Sequence, residues 1–417
     1  MFGLFKSKKQ KRAKNLIDAA YKVYNYRCDA VDPADAKRLS ALIERLEELV
    51  GDGKAGTAEY DRAADETEAL MRKCGGAIYP LTAWADYTDM IIVAGILAIG
   101  IRSFFLQPFK IPTNSMYPSF YGMTSQVYGG AAGEEAPSLP ERAWRFLMKD
   151  ADNYRLRAPV EGNIYIELRA FPFKSEDNKI IFPYCNITRP TKKYFVWPTQ
   201  ERVYKFIVDD KEVELAVPVD FQINEIMESA FVLKKENIEL RNNRYFLHLG
   251  YAKRGETFLN FDILGGDMLF VDRFTYNFKK PRIGDSIVFR TKYCEGMTKL
   301  NNDVPIDLYY IKRLVGQGGD TLTLKDSTLI RNGKPIEGSS AFEANAKKLG
   351  LYPGYCPYKD LQYDTKVEVK QGHYYAMGDN SPNSSDSRYW GQVPERALVG
   401  KSLIIFYPFT PRWGATK

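Results

Sequence analysis

Between Tyr87 and Leu106 the chain carries its one long apolar run, whose core from Met90 to Ile101 has no charged residue. Spanning about 30 Å of hydrocarbon takes about 20 residues, so the twelve-residue core is short by itself and a buried helix of a soluble protein would read the same way. Asp89 and Arg102 at its ends can snorkel, and Phe104, Phe105 and Phe109 suit an interface, which makes the whole run a workable span. It begins about ninety residues into the chain, too far for a cleaved signal peptide. Directly after it, Pro108 and Pro112 fix φ and disfavour helix on either side of Phe109 to Ile111. The chain is therefore expected to leave the apolar run extended, carrying Ser115 just beyond it.

Residues 1–86, before this run, read as helical. Asp32-Pro33 is a start signal, and Leu39, Leu42, Ile43, Leu46, Leu49 and Val50 recur at helical spacing until Gly51. A second helix fits Ala58 to Cys74, closed by Gly75-Gly76. Lys6, Lys8, Lys9, Lys11, Arg12 and Lys14 form a basic run that suits a solvated tail or contact with anionic headgroups. The formal charge of +7 over 417 residues gives little support to nucleic-acid binding. Cys28, Cys74, Cys185, Cys294 and Cys356 show no metal or disulfide-framework spacing, and His248 and His373 have no partner at ligand spacing. No metal or cofactor is expected.

From Tyr121 to Leu264 comes a stretch of domain size. Ala131 to Pro140 reads as a loop. After it, Asn163 to Leu168, Lys179 to Phe182, Tyr194 to Trp197, Val203 to Val208 and Arg244 to Leu249 are β-branched and aromatic runs, predicting a mostly β module. Beyond Gly265, short apolar runs alternate with Gly-Asp, Asn-Gly and Gly-Gly turns. Leu329-Ile-Arg-Asn-Gly-Lys-Pro-Ile336 reads as a hairpin, and Leu403 to Pro408 as a closing strand too short to cross a bilayer. Gly316-Gln-Gly-Gly-Asp320 lacks the Gly-Lys-Ser/Thr ending of a phosphate loop and reads as a turn.

Four blocks stand out in order: Ile111-Pro-Thr-Asn-Ser-Met-Tyr-Pro-Ser119; Gly266-Asp-Met-Leu-Phe-Val-Asp-Arg-Phe274 with Pro281-Arg-Ile-Gly-Asp-Ser-Ile-Val-Phe289; Tyr310-Ile-Lys-Arg-Leu-Val-Gly-Gln-Gly-Gly-Asp320; and Met377-Gly-Asp-Asn-Ser-Pro-Asn-Ser-Ser-Asp-Ser-Arg-Tyr-Trp-Gly391. Together they resemble the bacterial type I signal peptidases, membrane-anchored Ser/Lys endopeptidases whose nucleophile block reads approximately Ile-Pro-Ser-Gly-Ser-Met-x-Pro-Thr. The resemblance covers about half of the chain. In compact members only a short turn follows the nucleophile block, where this chain has residues 121–264.

The resemblance implies a mainly β catalytic domain of antiparallel sheets, formed by 108–120 and 265–417 and interrupted by the β-rich module 121–264. Residues 87–107 would be a single transmembrane helix and 1–86 a cytoplasmic helical region, with the catalytic domain on the periplasmic side of the bacterial inner membrane. Ser115 would be the nucleophile and Lys312 its base, in a setting where Tyr310, Ile311, Leu314 and Val315 can lower the lysine pKa by burial. Thr113, where the family more often has Ser, would complete the oxyanion hole with the Ser115 N–H. Ser384 would hydrogen-bond the lysine, and Tyr310 would line its pocket. Arg313, Asp379, Asp386 and Arg388 would hold the site through ion pairs. The partners implied are signal peptides of exported preproteins, the lipid bilayer and the export machinery, with no nucleic acid. Two other readings compete with cleavage of signal peptides: a soluble Ser/Lys self-cleaving regulator, and an inactive membrane-tethered scaffold.

Overall fold

The computed structural model describes residues 8–54, 56–80, 83–129, 133–168, 187–193, 197–301 and 304–416. Lys6, the expected strand at 179–182 and Tyr194 to Val196 lie outside the described residues. The chain falls into two compact units that divide after Ile99.

The first unit contains α1 (Lys8–Arg27), α2 (Pro33–Gly51) and α3 (Ala58–Cys74). Local signals set their ends: the Asp32 carboxylate accepts from the Ala34 N–H at 2.8 Å, and the Thr57 hydroxyl from the Tyr60 N–H at 3.3 Å. Ile17, Val23, Leu39, Ile43, Leu46, Leu70 and Met71 close into one core, so the apolar stripes of the three helices bury against each other. Next comes α4 (Ala83–Phe104), whose stretch Tyr87–Phe104 is long and apolar enough to cross a membrane and contains no buried residue. This helix stops short of the expected 107. Pro108 removes a backbone donor and disfavours helical φ/ψ at Gln107, and Leu106–Lys110 is already a strand.

The second unit is mainly β. Its principal antiparallel sheet runs in the order Leu106–Lys110, Met268–Asp272, Leu398–Tyr407, Ser286–Arg290, Tyr309–Gln317, His373–Met377 and Val393–Pro394, with Gly414–Ala415 pairing the long Leu398–Tyr407 strand. The expected closing strand is thus a central one. Beside it lies a four-stranded sheet containing the expected hairpin, where Arg331 pairs Lys334 across Asn332 and Gly333. Both turn residues have positive φ, 52° and 78°, as a two-residue turn that follows strand twist demands.

Residues 121–264 build a three-stranded sheet (Thr124–Val127, Thr257–Leu264, Asp152–Arg157) and a six-stranded sheet centred on Gly162–Leu168, Trp197–Val208 and Arg244–Ala252. Both sheets and the short helix Asn224–Ala230 share one core, in which Phe206, Val208, Val217, Ile226 and Phe261 are at most 0% exposed. Among the described residues, the strands Thr124–Val127, Asp152–Arg157, Ile187–Lys193, Lys211–Pro218, Ile238–Arg241 and Thr257–Leu264 and two helices were not legible in the sequence. One of these is α5 (Leu139–Lys149), which begins within the stretch expected to be loop. The excursion starts and ends at one place: the Asp267 N–H donates to the Tyr121 carbonyl at 2.8 Å, and the Tyr121 N–H to the Asp267 carboxylate at 2.8 Å. A long segment whose ends are so close leaves the pairing of the principal sheet intact.

Candidate active site

The strand Leu106–Lys110 delivers Ile111 and Pro112 into an extended Thr113, after which Asn114–Met116 forms one 3₁₀ turn that presents Ser115. Met116 and Phe120 are buried beneath it with Ile111, Leu269, Val271 and Val288, so apolar anchors on both sides of the turn hold it against the sheet. The Asn114 side chain braces the loop, donating to the Met123 carbonyl at 3.0 Å and accepting from the Gly122 N–H at 2.9 Å.

Lys312 lies on the strand Tyr309–Gln317, paired with Ile287 of the neighbouring strand. Its Nζ is 2.6 Å from Ser115 Oγ and 3.1 Å from the Ile311 carbonyl oxygen. The residue is 4% exposed. Burial lowers its pKa to about 8, against Asp386 and Asp379, which raise it, and with Arg388, which lowers it. The Tyr310 ring centroid is 5.3 Å from the amine, and burial pushes the Tyr310 phenol up so that it stays protonated.

The other expected residues fall around this pair in two clamps. Arg313 donates to Asp379 through Nε at 2.8 Å and Nη2 at 2.6 Å, and to the Gly284 carbonyl at 2.8 Å; both charged groups are fully buried. Ser119 joins them, accepting from Arg313 Nη2 at 3.1 Å and donating to Asp379. Arg388 pairs Asp386 at 2.8 and 2.7 Å and donates to the Cys356 and Ser381 carbonyls, each at 2.7 Å. Asp386 also accepts the Gly378 N–H at 3.0 Å. Gly378 sits directly on the Ser115 turn, since a Cβ there would lie 2.1 Å from Ser384 Oγ and 2.4 Å from the Ser115 carbonyl oxygen. Asn380 completes the latch with its N–H on the Ser115 carbonyl at 3.1 Å and its side chain on the Asn114 carbonyl at 3.0 Å.

One expected residue is placed differently from the resemblance. Ser384 is buried but its Oγ has no hydrogen-bond partner, so it packs on Gly378 rather than bonding Lys312. Thr113 is exposed and lines the same cavity as Ser115 and Lys312. Asn114, Ser119, Gly378 and Asn380 were not singled out from the sequence, although all four lie within the blocks; their signal was the blocks' density in polar turn residues.

Ser115 and Lys312 line a cavity of about 650 Å³. One wall is Phe109 to Asn114, and another is Leu308 to Lys312. A third comes from the long excursion and includes Asp220, Glu225 and Glu228. Neither histidine lines it, and among the described residues no His, Cys, Asp or Glu cluster is placed to hold a metal.

Gly378→Ala is expected to reduce turnover severely while leaving the fold intact, because the added methyl must displace the Ser115 backbone. Cleavage rates beside a denaturation curve check this, and unchanged turnover would mean that the turn does not rest on Gly378.

Residues 259–407 match the family model for signal peptidase, peptidase S26. The matched region contains Lys312 and Ser384, while Ser115 lies ahead of it, on the far side of the long excursion. Signal peptidase I of Bacillus amyloliquefaciens and signal peptidase I T of Bacillus subtilis (strain 168) are each 32% identical over 170 residues, covering 40% of this chain and 77% of the relative. A probable signal peptidase I-1 of Synechocystis is 30% identical over 149 residues, 36% of this chain and 66% of the relative. Among solved structures, a signal peptidase I from Enterococcus faecalis V583 matches 30% of this chain and 97% of its own at 27% identity, with a TM-score of 0.22. With the blocks in family order and relatives matched over three quarters of their length, the chain belongs to the type I signal peptidase family.

Proposed function

We propose that the chain is a serine endopeptidase that removes signal peptides from exported preproteins, with Ser115 as nucleophile and Lys312 as general base. The observation that carries the assignment of roles is the buried Lys312 amine 2.6 Å from Ser115 Oγ. A free lysine, with a pKa of about 10.4, is protonated at neutral pH and cannot accept a proton. Desolvation to about 8 supplies a useful neutral fraction. The neutral amine takes the hydroxyl proton as Ser115 Oγ attacks the scissile carbonyl, then returns it to the departing amine. The acyl-enzyme is released by a water that Lys312 deprotonates in turn. The developing oxyanion is held by the Ser115 N–H and the Thr113 hydroxyl.

The substrate binds extended. Among the described residues, Tyr309 to Lys312 pair only with Ser286–Arg290, because His373–Met377 covers the strand from Arg313 onward. That leaves a free backbone edge facing the segment before Ser115, where an added strand gains main-chain hydrogen bonds. The segment 121–264 acts as an inserted module that completes the cleft, and its three carboxylates bias substrate choice through charge. Converting Asp220, Glu225 and Glu228 to amides is expected to change the rate ratio between peptides that differ by Lys or Gln beside the cut, without lowering the Gln peptide rate. An unchanged ratio removes the module from substrate selection.

The apolar α4 serves as a single membrane anchor, residues 1–86 being cytoplasmic and the catalytic domain lying outside the inner membrane. Sharing a bilayer with its substrates raises effective concentration. The export machinery is a neighbour in the same bilayer on the same grounds.

Ser115→Ala and Lys312→Met are each expected to abolish cleavage of a purified preprotein while leaving the fold unchanged. In the wild type the rate should rise with pH through about 8 and stay high, because below that value the amine is protonated and above it neutral. A profile that follows a group near 6.5, or residual turnover in Lys312→Met, would overturn the role of Lys312. A wild type without cleavage would favour the scaffold reading.

Thr113→Val keeps the branched shape and deletes only the donor, so it should lower turnover by roughly 10²- to 10³-fold with little change in apparent affinity. Thr113→Ser should keep most activity. Near-normal turnover for Val, or a worse result for Ser, would show that the hydroxyl takes no part.

A further inference from the structure

The helix α5 is built inside out. At 100° per residue, Leu139, Ala143, Trp144, Phe146 and Leu147 fall within an arc of about 160°, and this is the face turned to solvent. Leu139 is 79% exposed, Trp144 59%, Phe146 42% and Leu147 64%. The inward residue is Arg145, 8% exposed, which donates through Nε to the fully buried Asp262 at 2.9 Å and through Nη2 to Gln126 at 2.6 Å. An ordinary surface helix does the reverse. A contiguous exposed apolar face on a structured helix marks a surface that meets something apolar.

We infer that α5 lies in the interfacial layer of a lipid bilayer, as a second membrane contact of the catalytic domain. This rests on the reading of α4 as the membrane anchor. Chain geometry favours lipid over a protein partner. Asp150, which caps α5, accepts a hydrogen bond from Lys110 Nζ at 2.5 Å. Lys110 is six residues beyond the end of α4, so even a fully extended chain keeps it within about 20 Å of that helix end. The composition agrees: Trp, Phe and Leu on the outward face, with exposed Lys149 and half-buried Arg142 beside it, is the pattern of a helix lying in the headgroup boundary. The patch also continues beyond the helix. Tyr407 donates to the Phe146 and Leu147 carbonyls at 3.2 and 3.0 Å, the Phe409 N–H to the Met148 carbonyl at 3.0 Å, and Phe409 is itself 53% exposed. With α5 in the headgroup layer, the catalytic domain stays beside the lipid from which a substrate emerges.

The test uses the full-length protein reconstituted in pure vesicles that contain bromine-labelled lipid. Wild-type tryptophan fluorescence should be quenched more than that of Trp144→Phe, because Trp144 would sit within reach of the labelled chains. Trp144→Gln with Leu147→Gln should cleave a vesicle-embedded preprotein about tenfold more slowly, yet turn over a short soluble peptide at the wild-type rate. Leu147→Gln alone should show a smaller loss of the same kind. Equal quenching in wild type and Trp144→Phe overturns the inference and leaves a protein partner as the occupant; so does a parallel loss on both substrates. Failure of the wild type to stay with vesicles after an alkaline wash would instead refute the anchor reading, and failure to cleave the soluble peptide the proposed activity.

Discussion

Removing water from the Lys312 amine is the physical act on which the site depends, and it succeeds only because the nearby carboxylates are already satisfied. Asp379 and Asp386 both favour the protonated lysine, yet burial outweighs them. Each aspartate is held at hydrogen-bond distance by its own fully buried arginine, Arg313 or Arg388. Buried ion pairs of this kind contribute little net stability against their desolvation cost, and removing one partner strands the other charge. Here they also keep two negative charges from being answered by the lysine. The same aspartates hold the surrounding loops, Asp379 through the Ser119 hydroxyl and Asp386 through the Gly378 N–H, so electrostatics and geometry share the same atoms.

The principal sheet turns this local chemistry into a cleft. Ser115 and Lys312 are 197 residues apart in the chain, and strand pairing brings them together: Leu106–Lys110 sits at one edge, while Tyr309–Gln317 lies four strands further along that curled sheet. Between them the chain makes its long excursion, which leaves and rejoins at the reciprocal Tyr121–Asp267 hydrogen bonds. Arg412 pairs Asp267 from the far end of the chain, so the junction is tied a third time. The excursion carries its own core, and it contributes to the cavity without interrupting the sheet.

What the sequence determined by itself is what short-range chemistry dictates. Asp32-Pro33 and Thr57 start helices because their side chains or ring satisfy or remove unpaired N–H groups. Asn332-Gly333 turns because it tolerates positive φ, and Pro108 stops α4. The blocks around Ser115, Lys312 and Ser384 were legible for the same reason, as polar turn residues in dense local patterns. The tertiary structure decided whatever depends on residues far apart in sequence. The depressed pKa of Lys312 is set by how completely other strands exclude water from it. The roles of Gly378 and Asn380 against the Ser115 carbonyl depend on a contact more than 260 residues away in the chain. Ser384, which family resemblance placed on the lysine, packs on Gly378 with its Oγ unpartnered, a contact that only the fold creates. In α5, periodicity can divide a helix into apolar and polar faces, but only the buried Asp262 decides that the arginine face turns inward and the tryptophan face turns out.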